Sequence, residues 1–269
     1  MKIGPETNPT TAISGSNART IIVRGRDLVA ELIGKISFTE HIWLLICGTL
    51  PNDGQRRILD ATLVAIAEHG LVPSVQVSRM TLASAPEALQ GAVAAGLLGC
   101  GSVILGSSEA AGRFQAEILS TAAEVGGLQS AIEATVRAYR ANKRAIPGFG
   151  HPLHKEGDPR ARRLFEIAEE LGFAGAHREV VHEVERRLPQ LVGKNLVMNV
   201  SAAIPAVLLD AGFPLLALKG VPLLARAASL VAHLLEEQEH PIGFRLSHAA
   251  SSAISYDGPA PEGFVADEN

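Results

Sequence analysis

The chain has 269 residues, 47% of them apolar and only 4% aromatic, so its core must be built from Ala, Leu, Val and Ile, which favours closely packed helices. A net charge of -4, with Lys and Arg dispersed, gives no basic field for a phosphate backbone and argues against a nucleic acid partner. The length suits one large core or a main body with a smaller lobe. Cys47 and Cys100 are the only cysteines; both lie in apolar runs and read as buried thiols rather than as a disulfide framework.

In chain order, the opening "MKIGPETNPTTAIS" has no basic segment leading into an apolar one, so no export signal is expected and the cytoplasm is the expected compartment. "TIIVRG", near residue 20, reads as a short strand. "FTEHIWLLICG" and "NDGQRRILDATLVAIAEHG" read as helices separated by Pro51, the second capped by Asn52 or Asp53 and running out at Gly70. From Ala88 to Ser108 no side chain is charged over a length that could span a bilayer, but five glycines dilute the stretch and neither flank carries a basic anchor. The better expectation is a fully buried helix from 88 to 105 in which Gly91, Gly96 and Gly99 admit a neighbouring helix, with no membrane partner. Residues 109–124 and 128–142 have helical spacing broken at Gly126-Gly127. "DPRARRLFEIAEELG" starts a helix with Asp158 as cap and Pro159 at its first position. "VMNVSAAIPAVLLDAG" and "PLLARAASLVAHLLEEQEH" read as two more helices, and the tail after Tyr256 is turn-rich.

The segment "IPGFGHPLHKEGDPR", residues 146–160, joins two of these helices. Pro147 and Gly148 set a turn, Gly150 lets the backbone approach something closely, and His151 follows at once. Arg160, in the first turn of the next helix, opposes the helix dipole, which is poor for stability and suitable where an anion binds. A solvated surface loop fits the local pattern equally well. The nine histidines are dispersed without carboxylates or cysteines at ligand spacing, so no metal is expected.

"PGFGHPLHKEGDPRA" resembles the signature of the citrate synthase superfamily, and the resemblance runs along almost the whole chain. "IIVRGRDLVAELIGKISFTEHIWLLICGTLP" is similar to the family's first strand and its R-G-x-D…SFEE…LL…G-x-LP pattern. "EHGLVPSVQVSRM" resembles the segment whose histidine binds the keto-acid. "GLLGCGSVILGSSEAA" stands in place of the G-P-L-H-G-G-A-x-E-A turn, "NLVMNVSAAIPAVLL" where the family has N-V-D, and "LLARAASLVAHLLEEQ" where it has an arginine in S-R-x-x-G-x-x-A-H-x-x-E-Q.

The resemblance implies an all-α fold with a short β element near the N-terminus. It implies a large helical domain from 1–144 and 221–269, a small helical domain from 145–220, and a homodimer. It also implies that His69, His151, Arg160 and Arg226 hold the carboxylates and hydroxyl of oxaloacetate or a citryl group, with His151 the acid or base on the carbinol oxygen. Arg245 matches the arginine that reaches the partner subunit's site, although Leu246 follows it where a proline is expected. A coenzyme A thioester is implied as a substrate along 145–150, by Pro147, Gly148 and Gly150, with Lys143 and Arg144 beside it; a charge pair at a helix end is the more ordinary reading of those two.

Two positions depart from the family. Ile104 stands where a histidine donates to the thioester enolate oxygen, and Ser201 where an aspartate moves the methyl proton. Isoleucine cannot donate a hydrogen bond, and a serine hydroxyl is too weak an acid to serve unaided as a base. Short citryl-CoA lyases lack that histidine too but keep the aspartate, so Ile104 fits that lineage and Ser201 does not. The leading expectation is citryl-CoA cleavage by a retro-Claisen reaction, with Ser201 as a proton relay. A synthase or lyase for another oxoacid and acyl-CoA, its proton group supplied by Glu109, His154 or His248, is the second. A non-catalytic polycarboxylate-binding protein is the third.

Overall fold

The structure, a computed structural model, describes residues 9–101, 105–150 and 157–264. Three short strands, β1 (Ser14–Ser16), β2 (Ile21–Val23) and β3 (Arg26–Asp27), form an antiparallel sheet in that order. Arg24 and Gly25, both at positive φ, make the tight hairpin between β2 and β3. The Arg24 side chain then donates to the carbonyl of Leu45, at 3.0 Å from Nε, which ties the sheet to the first helix.

That helix, α1 (Phe38–Cys47), starts with a reciprocal capping box between Ser37 and Glu40 and stops at Gly48 in the left-handed conformation. It is followed by α2 (Asp53–Ala67), α3 (Pro73–Ser84), α4 (Leu89–Leu98), α5 (Ser107–Ala122), α6 (Leu128–Ala141), α7 (Pro159–Glu170), α8 (Ala176–Val192), α9 (Val200–Asp210), α10 (Gly220–Glu239) and α11 (Gly243–Ser252). The all-α architecture with a small N-terminal sheet agrees with what the sequence implied. Asn52 caps α2, accepting from the Gln55 N–H at 2.8 Å while Gln55 accepts from the Asn52 N–H.

Three expectations need correction. The second helix ends at Ala67 rather than at Gly70, because the Glu68 carboxylate turns back to accept the Gly70 N–H. The stretch 88–105 is not one buried helix: α4 has only ten residues, its Leu98 is 86% exposed, and only Ala92 and Gly96 in it are buried. Glycine at 99 and 101 gives the helix nothing to propagate through. Cys47 and Cys100 are half-buried rather than buried.

The chain forms two compact units, one comprising the described residues up to Thr62 and from Ser108 to Leu218, the other those from Leu63 to Ser107 and from Lys219 onward. In the first, α5, α6 and α8 share a core of Phe114, Ile118, Ile132, Val136, Val184 and Leu188, all but fully buried, each worth about 1.5–3 kcal/mol of hydrophobic stabilisation. In the second, α10 and α11 pack on α3, and α10 also packs on α4. Gly96 makes that second contact feasible, since a Cβ there would lie 2.7 Å from Leu230 Cδ1 and 2.9 Å from the Ser74 carbonyl oxygen. By length and composition Leu215–Glu239 could cross a membrane, but polar Arg226, Ser229 and Glu237 are buried within the unit.

Candidate functional site

In the first unit the glycine-rich loop and the start of α9 are built against each other. Phe149 bridges to Met198, Gly150 N–H donates to the Val197 carbonyl at 2.7 Å, and Asn199 N–H donates to the Gly148 carbonyl at 2.9 Å. Gly148 has φ +85°, and a Cβ there would sit 2.6 Å from the Ala202 methyl, so both backbone conformation and space demand glycine. The Asn199 amide donates to the Gly150 carbonyl at 2.6 Å while its oxygen caps α9 by accepting from Ser201 N–H at 2.9 Å. Ser201 is thus placed in the first turn of α9, beside the loop that leads to residue 151.

Asp158 joins α7 to the same place. Its side chain is fully buried, it caps α7 through the Arg160 N–H at 3.0 Å, and its Oδ2 accepts from the Val200 N–H at 3.0 Å. Arg160 closes on it from the other side. Burial pushes the Asp158 carboxyl upward, but hydrogen bonds from the Arg160 side chain and the Val200 N–H outweigh it and hold the group below its ordinary range. Asp158, read from the sequence only as a cap, therefore fixes Arg160 and the Ser201 turn together. Lys143 and Arg144 are exposed at the end of α6, with the Arg144 guanidinium stacked 4.1 Å from the centre of the Tyr139 ring, which is the ordinary helix-end arrangement. Glu109 pairs with Arg113 at 2.9 Å on α5. His151, His154 and Ile104 lie outside the described residues.

The second unit holds His69, Arg226 and Arg245. Arg226 on α10 is 1% exposed, yet its Nε and Nη1 have no hydrogen-bond partner among the described residues. A buried cation in that condition is costly unless an anion completes it. Ser74, at the start of α3, is equally buried, and its Oγ has no close hydrogen-bond partner among the described residues. Burial raises the thiol of Cys100, just past α4, above the ordinary value, while the Arg226 charge and the Ser74 hydroxyl pull the other way. Ser74 and Cys100 carry no local pattern that marks them in the sequence.

His69 is exposed on the segment between α2 and α3, and its Nδ1 lies 3.1 Å from the Glu68 carbonyl. A carbonyl only accepts, so in this contact Nδ1 carries the proton. Arg245 is exposed on α11. The start of α11 is held by Glu237, which accepts from the N–H groups of Ile242 and Gly243, at 3.0 and 2.8 Å from Oε1, and pairs with buried Arg79 at 2.7 Å. Among the described residues no group of three or more His, Cys, Asp or Glu is placed to hold a metal ion.

The family model for the citrate synthase C-terminal domain matches residues 51–246. The chain belongs to the citrate synthase family. It is similar to the citrate synthase of Synechocystis, 27% identical over 209 residues, and to citrate synthase 2 of Bacillus subtilis, 25% identical over 229 residues. These alignments cover 76% and 84% of this chain but only 50% and 57% of those enzymes, so this family member spans little more than half their length. Its likeness to the citryl-CoA lyase of Hydrogenobacter thermophilus runs over nearly all of both chains: 34% identity, a TM-score of 0.82, and coverage of 95% of this chain and 97% of that one. The ATP citrate lyase of Methanothrix soehngenii, solved with citrate and coenzyme A, shares the fold at a TM-score of 0.75 and 23% identity, with 44% of its chain covered.

Proposed function

We propose that this family member is a citryl-CoA lyase, cleaving citryl-CoA to acetyl-CoA and oxaloacetate. The observation that carries the substrate class is Arg226, a buried guanidinium whose Nε and Nη1 have no partner among the described residues, which suits a bound carboxylate. The lyase direction is supported by 34% identity to a citryl-CoA lyase over 95% of this chain. The loss of both enolisation groups, at Ile104 and Ser201, argues against ordinary citrate synthesis. An enolate-oxygen donor is worth about 3 kcal/mol and a positioned acid or base about a hundredfold or more.

In this reading Arg160, Arg226 and Arg245 clamp carboxylates, and His69 holds the hydroxyl. His151 takes the hydroxyl proton as the bond from the carbinol carbon to the thioester methylene breaks. The bonding pair passes into the thioester as the acetyl-CoA enolate, the carbinol becomes the ketone of oxaloacetate, and the enolate carbon takes a proton from water with Ser201 as relay. Coenzyme A runs along Pro147, Gly148 and Gly150. A homodimer lets Arg245 complete the neighbouring subunit's site.

The test is to supply citryl-CoA and, separately, acetyl-CoA with oxaloacetate, following thioester, free thiol and ketone together. A lyase yields oxaloacetate and intact acetyl-CoA thioester from the first mixture. Release of free coenzyme A from the second mixture, with no cleavage in the first, contradicts the reading and selects a synthase.

A further inference from the structure

Glu68 stands directly before His69 and closes a set of contacts that no motif in the sequence announces. Its carboxylate accepts from Ser229 Oγ at 2.7 Å on α10, from the Gly70 N–H of its own segment, and from His233 Nε2 at 3.0 Å one turn further along α10. His233 in turn faces Glu236 at 3.9 Å, and Glu236 pairs with Arg79 at 2.6 Å. The backbone on both sides of His69 is thereby held: Glu68 through its own side chain, Gly70 through its N–H in a left-handed conformation, φ +68°. The Glu68 carbonyl also accepts a hydrogen bond from His69 Nδ1. Ser229 lies three residues beyond Arg226 on α10, so one carboxylate ties the segment carrying His69 to the turn of helix carrying Arg226.

We propose that Glu68 is a positioning residue, which sets the orientation and tautomer of His69 and its separation from Arg226. A side chain serving only to dock a loop on α10 needs one or two of these bonds; here the same carboxylate reaches Gly70 on the far side of His69 and both Ser229 and His233 on α10. Loss of the carboxylate lets the segment turn, removes the carbonyl from beside Nδ1, and leaves His69 presenting either ring nitrogen to the ligand.

The experiment is a double-mutant cycle of Glu68→Gln and His69→Ala, read by oxaloacetate dissociation constants. It is accompanied by ¹⁵N NMR of histidine-labelled protein to read the His69 tautomer without ligand. Glu68→Gln should weaken oxaloacetate binding about tenfold alone and add nothing to His69→Ala, the coupling expected of groups that act as one. The Nδ1–H tautomer should give way to a mixture. Ser229→Ala, which removes one donor and keeps the fold, should shift both readouts the same way by less. Additive losses with an unchanged tautomer overturn the proposal. The ligand arm alone rests on the dicarboxylate reading above: if wild-type protein binds no dicarboxylate, that reading fails, and the tautomer of the ligand-free protein still decides the role of Glu68.

Discussion

Arg160 holds Asp158 through both arms of its guanidinium, Nε to Oδ1 at 3.0 Å and Nη2 to Oδ2 at 2.9 Å. The pair joins the first turn of α7 to the first turn of α9, because the same carboxylate accepts the Val200 N–H. Asp158→Asn keeps the shape and removes the charge that Arg160 faces. Breaking such a buried pair costs about 3 kcal/mol or more. Denaturant unfolding should show that loss as a lower midpoint with an unchanged slope.

Arg226 gives a prediction of the opposite sign. Its buried Nε and Nη1 have no partner among the described residues, so Arg226→Leu should leave the ligand-free protein at least as stable as wild type. The same change should weaken citrate or oxaloacetate binding about a hundredfold, the loss of a charge-assisted pair in a buried site. Thermal melting with and without ligand reads both effects. A large loss of stability with binding retained would place Arg226 in the core rather than in the site.

Cys100 feels the charge of Arg226. Burial raises its thiol above the ordinary value despite Arg226, so in a Cys47→Ser background its alkylation at neutral pH should be slow and should accelerate only in alkaline solution. Saturating oxaloacetate should slow it further, about tenfold or more, by covering the Arg226 side of the thiol. Equal rates with and without the dicarboxylate would show that the ligand binds elsewhere.

Much of this arrangement is invisible in the sequence, for identifiable reasons. The starts of α2 and α7 are legible because Asn52, and Asp158 with Pro159, act within a few residues of the helix they begin. By contrast α3, α8 and α11 are not announced. The Val72 cap of α3 contributes no side-chain bond, α8 is capped by Asp210 from α9, accepting from the His177 N–H at 3.0 Å, and α11 by Glu237 on α10. Partners 33 residues apart, as in the α8 cap, leave no local spacing to read. The same holds at the site: Asp158 meets Val200, Glu68 meets Ser229, and neither pairing follows from periodicity. His69, Arg160 and Arg226 could be named only because dispersed motifs resembled a family, and Ser74 and Cys100, outside those motifs' marked positions, emerged only from packing.

Glu68 also fixes a pH dependence. Burial pushes its carboxyl upward, but the bonds from Ser229, the Gly70 N–H and His233 outweigh this and bring it from 4.5 to about 2. A depressed carboxylate adds stability that is present above its unfolded value and is lost as pH falls through the folded one, here between about pH 4.5 and 2. The side chain is 57% exposed, so solvent screening limits the contribution to about 1 kcal/mol or less. Glu68→Gln should flatten the acid limb of the stability curve by that amount relative to wild type. Parallel wild-type and variant curves from pH 6 down to pH 2 would count against the contacts drawn for this carboxylate.

The most direct measurement is cleavage of citryl-CoA by the purified protein, with His151→Ala beside it, following oxaloacetate and acetyl-CoA as they form. Wild-type protein should turn citryl-CoA over, and the variant should lose about a hundredfold or more, the contribution of a positioned acid or base. Turnover that persists unchanged in His151→Ala would contradict the assigned mechanism. No cleavage by wild-type protein that still binds oxaloacetate would contradict the lyase itself.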